Sequence, residues 1–273
     1  MNKKKAMEVF DGLMLGDGGL RRLPNTALYS QSQCKPGIPI ESHLLWLCWL
    51  RDNVFAVLGI RATVRTYWGT YAKGLKKGQK YQFAALWTEC SSFLAELYDE
   101  WYTGGTWREY RKGTSIEIHN ATKIVPKRLM EITVLPALSL AHWFFGDGGS
   151  SRHKNSLPTI DVSLSTHCFS EGEVHCLTVI LNNMGIKTIK PHRQKQDKGA
   201  GLQIRLAQSS IDYFMSLIEP HTLEIFGGSL GSSYKDMIKY KYTAQPDTPC
   251  VDVEANGEFN NLRSRLARVK IIC

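Results

Sequence analysis

The peptide Gly-Asp-Gly-Gly occurs twice in this chain, each time closing an apolar run with helical spacing. The first run is FDGLMLGDGG, Phe10 to Gly19, and the second is LAHWFFGDGG, Leu140 to Gly149. Asp-Gly alone is an ordinary turn dipeptide. Its return about 130 residues later, with similar flanks, marks an internal repeat at small-domain spacing. Asp17 and Asp147 are therefore the side chains with chemistry to offer. A carboxylate is a hard oxygen ligand for a divalent cation. Two of them, delivered by matching helices, suit metal-assisted hydrolysis of a phosphodiester about a pseudo-two-fold axis.

The elements that must position these aspartates repeat as well. Each motif is followed by a short basic loop and a strand, LRRLPNTALYSQSQ in one half and SSRHKNSLPTIDVSLST in the other. In the first strand Tyr29, Gln31, Gln33 and Lys35 share one face, and Leu28, Ser30, Ser32 and Cys34 the other. In the second, Asp161, Ser163, Ser165 and His167 alternate with Ile160, Val162 and Leu164. Faces of this kind predict sheets packed on one side, with the long polar side chains outward. A helix-like run comes next in each half, ESHLLWLCWLRDNVFAVLGI and SEGEVHCLTVILNNMGI, and each ends in an apolar residue, Gly and Ile. Glycine suits the residue just past a helix. Basic hairpins follow, with turns at GLKKGQ and QDKGAG. SSFLAELYDEWY and SSIDYFMSLIEPH then open a last helix on a Ser pair.

The predicted fold class is therefore α+β, with two pseudo-symmetric helix-β-β-helix-β-β-helix halves. They span residues 1–117 and 135–242, with a connector at 118–134 and a tail at 243–273. In the first motif helix Val9, Phe10, Leu13 and Met14 are spaced to bury into their own half. Gly12 and Gly16 would let a partner helix approach closely. In the second, Ala141 and Gly146 are small, but His142 stands where Gly12 stands in the first, so the contact should be asymmetric.

Lys and Arg number 34 against 25 Asp and Glu, a net charge of +9. Such a surface favours a polyanion, and nucleic acid is the usual one. No apolar stretch reaches bilayer length, and the basic MNKKKAMEVF start runs straight into the first motif without the pattern of a signal peptide. The cysteines are odd in number, scattered and free of any CxxC, which predicts a reducing, intracellular setting. His167-Cys168 and His175-Cys176 make a tempting pair. One ends a strand and the other sits in a helix, which argues against zinc.

At the two motifs the chain resembles the LAGLIDADG homing endonucleases in their single-chain form. The family pattern overlays Phe10–Gly18 and Leu140–Gly148, with its eighth, acidic position on Asp17 and Asp147. The resemblance spans about residues 5–242. It implies αββαββα halves, motif helices packed along a pseudo-dyad and antiparallel sheets forming a saddle on DNA. The implied activity is hydrolysis of one phosphodiester in each strand of a long, asymmetric duplex target by a monomer. Asp17 and Asp147 would bind Mg²⁺ with the backbone carbonyls of Gly16 and Gly146. Mn²⁺ should substitute, Ca²⁺ should support binding only, and no small-molecule cofactor or membrane is implied. The family also places a lysine near each centre. ATKIVPKRL offers Lys123, and the late Met-x-Tyr-Lys-like stretch offers Lys241. The chain departs from the pattern at His142 and at the insertion-like Gly227–Ser232, which leaves the second lysine's register open. Two other readings share the fold: a maturase acting on its own intron RNA, and a DNA-binding regulator without nuclease activity. The tail faintly resembles an intein's closing segment, but no matching N-terminal splicing block accompanies it.

Bases would be read from the polar strand faces, where amide and guanidinium groups match major-groove donor and acceptor patterns. The candidates are Tyr29, Gln31, Gln33, Lys35, Arg65, Tyr67 and Gln82 in the first half. In the second they are Asp161, Ser163, Ser165, His167, Arg193, Gln203 and Arg205. Loop lysines Lys76, Lys77, Lys80, Lys195 and Lys198 would meet phosphates.

Overall fold

The computed structural model describes residues 1–33, 40–70, 78–110, 115–152, 160–193 and 201–226. In the first half α1 (Lys3–Leu15) leads into β1 (Gly19–Arg22) and β2 (Ala27–Gln33). There follow α2 (Ile40–Leu50), extended by a π turn at Arg51–Phe55, β3 (Ala62–Thr70), β4 (Lys80–Thr88) and α3 (Ser92–Trp101). A connector holds β5 (Tyr102–Thr103), β6 (Thr106–Tyr110), β7 (Ser115–His119), β8 (Thr122–Lys123) and the short α4 (Lys127–Met130). The second half repeats the first: α5 (Ala137–Asp147), β9 (Gly148–Arg152), β10 (Ile160–Ser165), α6 (Glu171–Asn183), β11 (Thr188–Arg193), β12 (Leu202–Leu206) and α7 (Ile211–Phe226).

Local chemistry sets the helix ends. The Asn2 side chain accepts from the Lys5 N–H at 2.9 Å and caps α1. Ser170 and Glu173 form a reciprocal capping box on α6. Gly59 and Gly185, at φ +76° and +81°, take the left-handed turns that follow the middle helix of each half.

The sheets share one topology. Their strand orders are β1-β2-β4-β3 and, read from the matching edge, β9-β10-β12-β11, antiparallel throughout. The two motif helices lie against each other in the core. Val9, Phe10, Leu13 and Met14 are fully buried, as are Leu140, Ala141, Trp143 and Phe144. The contact is backbone-close, since a Cβ added at Gly12 would lie 2.2 Å from the Ser139 carbonyl oxygen. Ser139 Oγ donates to the Glu8 carbonyl at 2.7 Å across the pair. The connector is tied to α1 by Arg128, whose guanidinium forks onto Asp11 at 2.6 and 2.7 Å and reaches Glu100 at 2.8 Å. Burial pushes the Asp11 carboxyl upward, and Arg128 opposes that shift. Among the described residues no helix is long and apolar enough to cross a membrane.

Two expectations need correction. The boundary at 117/118 falls inside β7, which pairs antiparallel with β6 and is joined to the first half by an Arg21–Glu117 ion pair at 3.3 Å. The facing of β2 is also the reverse of that expected. Ala27, Tyr29 and Gln31 point inward, while Leu28 and Ser30 are partly exposed and Ser32 is exposed. Tyr29 packs between Phe10 and Phe55, with ring centroids at 5.7 and 5.0 Å. The two-residue period gives the two faces, but the polarity of Gln31 and Gln33 points to the wrong side. The burial of the large Tyr29 ring decides the side.

Candidate active site

The ends of α1 and α5 meet. A Cβ placed on Gly16 would lie 3.4 Å from the Asp147 backbone nitrogen, and one on Gly146 would lie 3.5 Å from that of Asp17. This reciprocal approach sets the two aspartates beside each other where the helices end. Asp17 is exposed and Asp147 half-buried, so both can face a substrate.

Lys123, at the end of β8, lies at this junction. Its Nζ donates to the carbonyls of Gly16 at 2.9 Å and Gly18 at 2.8 Å. Burial lowers its pKa to about 8, against the upward pull of Cys168, Asp17 and Asp147. Cys168 follows β10 in sequence and interacts electrostatically with both Lys123 and Asp147. Sequence reasoning weighed it only for zinc. The other late lysine, Lys241, lies outside the described residues.

Gln31 faces the opposite way from that expected. Expected to read bases, it is instead buried beside the junction, with its Nε2 3.6 Å from the place a Gly146 Cβ would take. Tyr29 donates its hydroxyl hydrogen to Gln31 Oε1 and fixes the amide. The Nε2 group finds no hydrogen-bond partner among the described residues. A buried donor left open at such a place suits an oxygen of a substrate or of an ordered water. The sheet registers pair Ser30 with Gly19 and Ser163 with Gly149, so the two serines match, and Gln31 matches the fully buried Leu164. Aligning the two strands in this way would have placed Gln31 inward.

The donor set fits a small, hard divalent cation. Two carboxylates and the carbonyl oxygens of the motif ends are oxygen ligands only. Among the described residues no group of three or more His, Cys, Asp or Glu gathers as a softer metal would require. A cation held by so few protein ligands keeps several waters, as Mg²⁺ prefers.

The remaining candidates divide by sheet. Arg65 is exposed and Tyr67 partly so, on the outer face of β3. Gln82 lies opposite Trp68 and alternates with Phe83, so it shares the inward face with Ala84 and Leu86 rather than the face of Arg65 and Tyr67. Gln33 pairs in the ladder with Ala84, and its side chain lies outside the described residues. Lys80 is exposed at the start of β4. In the second sheet Asp161, Ser163, Ser165, Gln203 and Arg205 share the outer face. There Arg205 donates to Asp161 at 2.7 Å and Gln203 Nε2 to Ser163 Oγ at 3.0 Å. His167 falls in the turn beyond β10, with its Nε2 closed off from solvent, so the open strand face stops short of it. Arg193 ends β11 opposite Leu202, and its side chain lies outside the described residues. Lys35, Lys76, Lys77, Lys195 and Lys198 also lie outside them.

The model of the LAGLIDADG DNA endonuclease family matches residues 7–214. The chain belongs to that family. The match takes in both motifs, both sheets and Lys123. Among solved structures, the homing endonuclease I-WcaI bound to its DNA recognition sequence shares the fold, with a TM-score of 0.55 at 18% identity. That match covers 81% of this chain and 84% of the other. I-DmoI in complex with DNA and Mn aligns at a TM-score of 0.46 and 12% identity, over 80% of this chain and 97% of its own. No functionally curated protein matches the sequence.

Proposed function

We propose that this LAGLIDADG protein is a monomeric, Mg²⁺-dependent endonuclease that cuts both strands of a specific duplex site. The observation that carries the reading is the junction itself. Asp17 and Asp147 sit side by side at the touching ends of two helices, with Lys123 donating to the carbonyls of one of them. Asp17, Asp147 and the carbonyls of Gly16 and Gly146 would hold the cations. A bound divalent cation supplies positive charge at the reacting phosphate. Lys123 adds a cation of its own at the same point, pre-positioned and partly desolvated, where it opposes charge building on the phosphate oxygens. The Gln31 amide offers a second donor from inside the sheet. Outer-face side chains of both sheets read the bases on either side of the pseudo-dyad, over a target of about two helical turns. The dispersed free cysteines Cys48, Cys90, Cys168 and Cys176 suit a reducing, intracellular setting.

Selection of cleaved sites from a randomised duplex library tests this. The expected result is one long asymmetric site, linearised in Mg²⁺ or Mn²⁺ and bound without cleavage in Ca²⁺. Sequence-specific binding without cleavage in any of these metals would instead identify a regulator. RNA-dependent splicing without DNA cleavage would identify a maturase.

A further inference from the structure

Resting on the endonuclease reading, we infer that the two sheets read their half-sites by different chemistry: the first recognises thymine methyl groups, and the second recognises hydrogen-bonding base edges.

The ladder registers fix which residues share the outer face of the first sheet. Tyr29, Gln31, Ala84 and Leu86 are the inward set, at most 2% exposed. The residues alternating with them on β4 are Tyr81, Phe83, Ala85 and Trp87, and their ladder partners on β3 are Gly69, Tyr67, Arg65 and Thr63. The rings on this face form one cluster. Tyr67 stacks on Phe83 with centroids 5.4 Å apart and meets Trp87 edge-on at 5.1 Å. Tyr81 continues the row, 6.0 Å from Phe83. Ala85 is fully buried among its neighbours although its side chain points outward. The exposed parts of Tyr67, Phe83 and Trp87 therefore make a firm, largely apolar floor with the exposed Arg65 at its side.

The β3–β4 part of this face offers few of the paired donors and acceptors that distinguish purines, and on β2 the face adds only the hydroxyls of Ser30 and Ser32. In an intact duplex the base faces are stacked, so rings approaching along the major groove meet only base edges. The one apolar group there is the C5-methyl of thymine. Arg65 beside the cluster supplies the positive charge that the phosphates require.

The matching face of the second sheet is polar. Arg205 is held by Asp161 and Gln203 is tied to Ser163. A guanidinium already oriented by a carboxylate suits the two acceptors of guanine. The same fold thus presents a methyl-reading surface on one side of the dyad and a hydrogen-bonding surface on the other.

Wild-type protein and altered DNA supply every affinity in the test, and one variant serves only to assign the half-sites. After site selection, thymine is replaced by uracil in one half-site at a time. This removes the methyl and leaves the base-pairing edge unchanged. Affinity is measured in Ca²⁺. Each contacted methyl lost from the first half-site should weaken binding about fourfold, or ~0.8 kcal/mol. The same replacement in the second half-site should leave affinity unchanged. The half-sites are assigned by the positions whose preference relaxes in Arg205→Ala. A first half-site without thymine, or one indifferent to uracil in a protein that still cuts its target, overturns the inference and spares the endonuclease reading. A protein that binds no duplex overturns both.

Discussion

Gly12 and His142 occupy matching positions in the two motif helices and have opposite surroundings. At Gly12 the backbone of α5 comes so close that no side chain fits. His142 is fully buried and fills space between helices, stacked at ring-centroid distances of 6.2 Å from Trp46 and 5.2 Å from Trp49. Trp46 Nε1 donates to its Nδ1 at 3.2 Å, and burial pulls its pKa down to about 3, so the ring is neutral. The helix pair thus needs one small and one large residue where strict symmetry would supply two alike. Around the junction the same asymmetry recurs, with Gln31 on one side and Leu164 on the other. A repeat preserves the placement of the two aspartates while each half is free to change what supports and surrounds them.

The largest expected effect tests the part of the comparison on which the halves agree. Asp17→Asn and Asp147→Asn each delete a charged oxygen ligand with little change of shape. Either should abolish double-strand cleavage, while affinity in Ca²⁺ stays within about tenfold of wild type. An Asp147→Asn protein that linearises plasmid at the wild-type rate would show that the junction is not the reacting centre. A difference between the two variants in nicking of individual strands would reveal how far the halves have diverged.

Lys123 comes next. Lys123→Met keeps the length of the side chain and removes the cation, and cleavage should fall on the order of 100-fold, as for a lost electrostatic stabiliser. Its pH signature separates a catalytic from a structural loss. Lys123 has a pKa of about 8 in the fold against an ordinary 10.5. Between those values the unfolded chain retains a proton that the folded chain has lost, so wild-type stability should rise with pH across that window relative to Lys123→Met. Parallel melting curves for the two proteins from pH 8 to 10 would contradict the buried placement.

The helix contact supplies a third test. Gly12→Ala puts a methyl 2.2 Å from a backbone oxygen that cannot turn aside, and should cost about 1–3 kcal/mol. Gly146→Ala meets nothing nearer than 3.5 Å and should melt within about 1 kcal/mol of wild type. Single-turnover cleavage should suffer more than stability in Gly12→Ala, because a small displacement of one aspartate from the other weighs heavily on the reaction. His142→Gly removes a ring enclosed between two tryptophans, and the cavity should cost about 2–4 kcal/mol. Equal melting of Gly12→Ala and Gly146→Ala would break the comparison at its central contact.

Much of this was legible because repetition carries it. The element order of both halves, the burial of Val9, Phe10, Leu13 and Met14, and the close approach at Gly12 follow from spacing and residue size alone. The inward turn of β2 was not legible. A two-residue period gives the faces but not their direction, and the glutamines outvoted a tyrosine. The β6–β7 hairpin was missed because TWREYRKGTSIEIH has no counterpart in the other half and its alternation mixes charged with apolar residues. Lys123 was accessible through resemblance to the family. Gln31 required the register, since only the ladder shows that it matches a buried leucine.

On the sheets, Arg205→Ala should relax the preference at one or two positions of one half-site by about 1–3 kcal/mol. It should also remove the ion pair that Arg205 makes with Asp161. Measured across a panel of single-base substitutions, the loss should be confined to those positions. A uniform loss over the whole panel would make Arg205 a phosphate contact and would remove the polar reader from the second half.

The smallest effect belongs to Lys80, exposed at the start of β4 and paired in the ladder with Thr70 at the end of β3. Among the described residues no hydrogen bond or ion pair orients it toward one base, so its charge should act on the phosphate backbone. Lys80→Ala should weaken binding to every duplex alike, specific and non-specific. Each lost phosphate contact should flatten the dependence of log affinity on log salt by about 0.9. Because the term is electrostatic, the deficit should shrink as salt rises. Titrations at several salt concentrations, on the selected site and on unrelated duplex, separate this from base reading. A salt slope equal to wild type with altered base preference would turn Lys80 into a reader and weaken the contrast between an apolar first sheet and a polar second.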